Sequence, residues 1–144
     1  MKTFCTAGPA KPDKHYGIPP LSRWDMDEID RLIAEERYFV LHAPRQTGKT
    51  SGLLALIARR NAEADYTTLY VNVEPAQAAR GNMEVGVRII LDAPIAGADQ
   101  YLEDRILPEI AQELLATQAT GGLLREGLRR WCRRLDKPLI WVYT

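Results

Sequence analysis

The chain has 144 residues, 46% of them apolar and 26% charged, which suffices for one domain with a real core, hardly for two, and argues against a disordered chain. Lys plus Arg and Asp plus Glu number 19 each, so a formal net charge of zero supplies no electrostatic footprint for nucleic acid or for an anionic membrane. The amino-terminal stretch has no apolar signal core and no later run is long enough to span a bilayer, which points to the cytoplasm, with Cys5 and Cys132 as free thiols lacking metal or redox spacing.

Residues 1–21, with Gly8, Pro9, Pro12, Gly17, Pro19 and Pro20, read as an extended amino-terminal arm, because proline and glycine disfavour both helix and central strand. Residues 22–144 then read as one domain. Asp25, with Glu28 three positions on, forms a capping-box pattern for a helix through about Glu36, whose apolar face is Met26, Ile29, Leu32 and Ile33. Tyr38 to His42 is apolar enough for a strand buried on both faces of a parallel sheet, and His42 at its end reads as a structural histidine.

Next comes Ala43-Pro44-Arg45-Gln46-Thr47-Gly48-Lys49-Thr50, followed by a helix-forming run to about Ala64. Strand, turn-rich loop and helix is the setting of a phosphate-binding loop, in which backbone N–H groups and a helix N-terminus surround phosphate oxygens. In that reading Gly48 allows close backbone approach, Lys49 meets the β- and γ-phosphates, and the Thr50 hydroxyl helps to hold Mg²⁺. Ala43 stands where the usual pattern has its first glycine.

Tyr66 to Val73 is rich in β-branched and aromatic residues and reads as a strand, with Glu74 at its carboxyl end. The run Val87 to Asp92 fits either an apolar strand ending in an acid or a helix sharing Met83, Val87, Ile90 and Leu91 on one face, and Pro94 should end it. Ala96 to Asp99 reads as a loop, Tyr101 to Leu107 as a helix, and Pro108 as the opening of another, stopped by Thr120-Gly121-Gly122. Leu124, Leu128, Trp131 and Leu135 form an apolar stripe, with Arg125, Arg129, Arg130, Arg133 and Arg134 on a solvated basic face. Lys137-Pro138 closes that helix, and Leu139 to Tyr143 starts an apolar strand.

Together, the Ala43–Thr50 loop, Tyr38 to His42 before it and Leu69-Tyr70-Val71-Asn72-Val73-Glu74 after it resemble the AAA-like ATP-binding proteins of bacteria, over about Pro12 to Leu139. The resemblance implies an α/β P-loop NTPase with a three-layer core around a parallel sheet, binding ATP and Mg²⁺ through Ala43, Arg45, Gln46, Thr47, Gly48, Lys49 and Thr50. It also implies nucleotide-base contacts near Tyr16 to Pro20. The acid pair that should end the Leu139 strand is absent, Thr144 standing in its place, so Glu74 and Asp92 remain as candidate replacements and hydrolysis is left open.

By the same resemblance the P-loop strand would lack both neighbours, with unpaired N–H and C=O groups costing about 1–3 kcal/mol each. The expectation is an amino-terminal fragment of an ATPase. The alternative is a non-catalytic remnant that associates with itself or with a partner protein through an exposed sheet edge.

Overall fold

The computed structural model describes residues 1–4, 11, 13–45, 47–117 and 122–144. They fall into two compact units, 1–59 and 60–144.

In residues 1–59 the first ordered feature is an isolated parallel bridge between Thr3 and His15, with the Phe4 and Tyr16 rings 5.4 Å apart. A 3₁₀ turn over Pro20–Arg23 leads to α1, Met26–Ala34. Its start is set by Asp25, whose carboxylate accepts the Glu28 N–H at 3.1 Å, satisfying one of the donors that a helix N-terminus leaves open. The other half of the expected capping box is not made: the Glu28 carboxylate turns to Arg31 instead, at 2.7 and 2.9 Å, and that guanidinium holds it below the usual carboxylate range. Ile29 and Ile33 are the buried side chains of α1. Residues 37–44 follow without regular structure, and α2, Lys49–Glu63, begins after the loop.

In residues 60–144 the strands β1, Thr67–Val71, and β2, Leu139–Tyr143, pair in parallel with Leu69 opposite Trp141. Between them run α3, Met83–Leu102, α4, Ile106–Thr117, and α5, Leu123–Arg134. Leu69, Val71, Leu91, Leu107, Ile110, Leu114, Leu123 and Trp131 form one buried core to which both strands and all three helices contribute or pack. A parallel pair needs such a long crossover, and here three helices supply it.

One position on the free edge of β1 is taken by a side chain. Asn61, near the end of α2, accepts the Thr68 N–H at 2.7 Å and donates to the Thr68 carbonyl at 3.0 Å, replacing one step of a missing neighbouring strand.

Several expectations are corrected. The three-layer P-loop core is not formed: the described residues are mainly helical, and their sheet has two strands. Tyr38 to His42 is not a buried strand, since it belongs to no ladder and Tyr38 and Val40 are 77% and 74% exposed. Pro94 does not end its element. It lies fully buried inside α3, where its packing offsets the lost backbone bond, so Ala96 to Asp99 is helix and not loop. The break comes later, at Glu103, which takes a left-handed conformation (φ 51°), so Tyr101 to Leu107 is not one helix. Asp104 then starts α4 by accepting the Ile106 N–H at 2.7 Å, and its second oxygen accepts from the indole N–H of buried Trp131. Thr120 and Gly121 lie outside the described residues, as does Cys5.

Candidate functional site

The loop before α2 is held by contacts within residues 1–59. Gly48 has φ 81°, a left-handed conformation that favours glycine, and a side chain there would press on the Arg23 guanidinium. Arg23 donates to the Thr47 carbonyl at 2.8 Å, and the Thr47 hydroxyl donates to the Pro44 carbonyl at the same distance. Lys49 turns back onto the loop, its Nζ 2.5 Å from the Ala43 carbonyl and 3.4 Å from that of Pro44. Its donors thus face backbone oxygens. Thr50 and Arg45 are exposed, Ala43 is half-buried, and Gln46 lies outside the described residues.

Beside this loop is an open cavity of about 420 Å³, lined by Trp24, Leu32 and Phe39 among apolar residues and by Arg23, Asp25, Glu28, His42 and Lys49 among polar ones. Trp24 reaches the first turn of α2 because Gly52 has no side chain; a Cβ there would collide with the indole. Tyr16 and Ile18 do not line this cavity and are exposed.

The candidate acids belong to residues 60–144. Glu74 opens a 3₁₀ turn, its N–H held by the Asn72 side chain at 2.9 Å, and its carboxylate is exposed. Asp92 is exposed on α3. Among the described residues no group of three or more His, Cys, Asp or Glu side chains is arranged to hold a metal ion.

Asp92 lines a second open cleft, of about 370 Å³, with Tyr70, Asn72, Gln100 and Tyr101. The two tyrosine rings stand at 87° to one another with centroids 6.4 Å apart, and burial together with the neighbouring Tyr70 pushes the Tyr101 phenol up from its ordinary value. Sequence reading missed this pair, because residues 31 positions apart carry no local signal of contact.

The basic face of α5 is partly neutralised from within. Glu126 accepts from Arg129 and Arg130 at 2.9 Å, and these guanidinium groups pull its pKa down to about 2. Cys132 is a free, exposed cysteine whose partial burial raises its pKa, which disfavours the thiolate.

No protein-family model matches the chain, and no solved structure matches it. Among curated proteins it is similar to the C-phycocyanin-2 beta subunit and the C-phycocyanin-1 beta subunit of a Synechococcus species and to the C-phycocyanin beta subunit of Synechococcus elongatus. Each is 29% identical over 116 residues, covering 76% of this chain and 66% of the relative. The chain thus spans less than two thirds of the length of these relatives.

These similarities overturn the AAA-like ATPase assignment and with it ATP binding and hydrolysis, ATP and Mg²⁺ as ligands, and nucleotide as the partner: the relatives are phycocyanin subunits, not ATP-binding proteins. The alternative of a truncated remnant falls with it, since that too took the chain for a damaged P-loop domain. The three relatives are themselves named as subunits. No helix among the described residues is long and apolar enough to cross a membrane.

Proposed function

We propose that the chain works as a subunit in the cytoplasm, binding a second kind of protein chain, rather than as a nucleotide-driven enzyme. The observation that carries this reading is the apolar segment Tyr38, Val40 and Leu41, which are 77%, 74% and 37% exposed. Exposed large apolar side chains close together in sequence are what a binding surface offers and what an isolated chain in water disfavours. Covering them removes apolar surface from water at about 25 cal/mol per Å², the main driving force for association. Relatives that are beta subunits favour a different chain as the occupant over a second copy of this one.

The test is purification of the tagged chain from its native source, with Val40→Asp in parallel. The expected result is one companion chain at near-stoichiometric yield with the wild type and its loss with the variant. A chain isolated alone, and monomeric by analytical ultracentrifugation, refutes the reading. A visible absorption scan of the same fractions extends the comparison with phycocyanin.

A further inference from the structure

We infer that the cleft between the end of β1 and α3 is a binding site for an organic ammonium group, with the rings of Tyr70 and Tyr101 and the carboxylate of Asp92 as its recognition elements. Tyr70 and Tyr101 both line the cleft, and their rings form an edge-to-face pair at 87° with centroids 6.4 Å apart. The face of each ring carries the negative part of its quadrupole, which attracts a cation placed over it.

Asp92 is the one ionisable carboxylate among the lining residues, and no lysine, arginine or histidine lines the cleft to neutralise it. The Arg88 guanidinium on the same helix is directed to Glu84, at 3.4 Å. Ala93, Ala96 and Gly97 supply a small apolar floor, on which a methylated or alkyl ammonium loses less than a bare, strongly hydrated ion would. Gly97 is required there for a second reason: a Cβ would lie 2.6 Å from the Tyr70 carbonyl, so the cleft has this depth because α3 approaches β1 closely. The Tyr70 hydroxyl is held by Thr144 Oγ1 at 3.0 Å, which fixes that ring without using its face.

The site is independent of the apolar segment proposed to bind a partner. Its ligand chemistry has two sources, a free amine or the lysine side chain of a peptide. Titrations followed by NMR on the full chain distinguish them, with choline for the first and a capped lysine for the second. Dimethylbutanol, the uncharged carbon isostere of choline, is the control.

The expected result is saturable binding of one or both cations, about tenfold tighter than the neutral isostere. Asp92→Asn, an exposed change that leaves packing intact, should weaken it about fivefold. Tyr101→Phe keeps the ring and should retain binding, whereas Tyr101→Leu should lose it. Equal affinity for choline and dimethylbutanol, or no saturable binding of either cation, overturns the inference.

Discussion

Tyr38 to Leu41 and Thr67 to Val71 are short apolar runs of much the same kind, and the molecule treats them oppositely. In the second, Leu69 and Val71 are fully buried and every residue is in register with β2. In the first, two of four side chains are more than 70% exposed and no ladder forms. The difference lies in what surrounds them. Thr67–Val71 has β2 on one edge, Asn61 on the other and α3 packed close by, whereas residues 37–44 have no partner strand among the described residues. Apolar, β-prone composition specifies a surface that fits a sheet, and the sheet itself must come from elsewhere.

The comparison can be tested at each support of β1. Leu69→Ala empties a site at the centre of the core and should cost about 2–5 kcal/mol in chemical denaturation. Gly97→Ala drives a methyl group into the Tyr70 carbonyl, so α3 must move off the strand, at about 3 kcal/mol. Asn61→Ala leaves the Thr68 N–H and carbonyl without their side-chain partner, for a loss of about 1–2 kcal/mol. Faster exchange of the Thr68 amide in that variant would identify the cause. Val40→Ser, in the run outside the sheet, should stay within about 0.5 kcal/mol of the parent. A large loss there would mean that residues 38–41 are buried in the isolated chain, and the contrast between the two runs would fail.

Much of the local structure was legible. Asp25 announces α1, the Lys49 to Ala64 run gives α2, and the two strands stand out by composition. Of the expected stripe on α5, Trp131 is buried and Leu124, Leu128 and Leu135 are partly buried, while Leu123 and Gly127, each one position earlier than an expected leucine, are the other buried residues. What could not be read depends on contacts distant in sequence. Pro94 reads as a stop, and its acceptance within α3 comes from burial in a core made by other elements. Asp104 looks like one more surface acid until Trp131 is seen to donate to it.

The candidate site was legible as a motif and misleading as a function. Gly48 does need its glycine, and Lys49 does sit at a helix start, but backbone carbonyls take the lysine's donors and the loop is held by its own polar groups. A short Gly-Lys-Thr pattern specifies a turn into a helix, and that geometry serves more than one purpose.

The pairing of β1 with β2 also has a kinetic side. Thr67 meets Leu139 across the chain, so α3, α4 and α5 all lie inside one loop that the two strands close. Helices form from neighbours in sequence, while the sheet must bear the entropy of closing that loop before its bonds give any return. The sheet is therefore the part of this unit with the longest-range contacts, the kind that slows folding. The Asn61 bracket on Thr68 occupies part of β1's outer edge once the strand is in place, which leaves fewer free backbone groups for another chain to pair with.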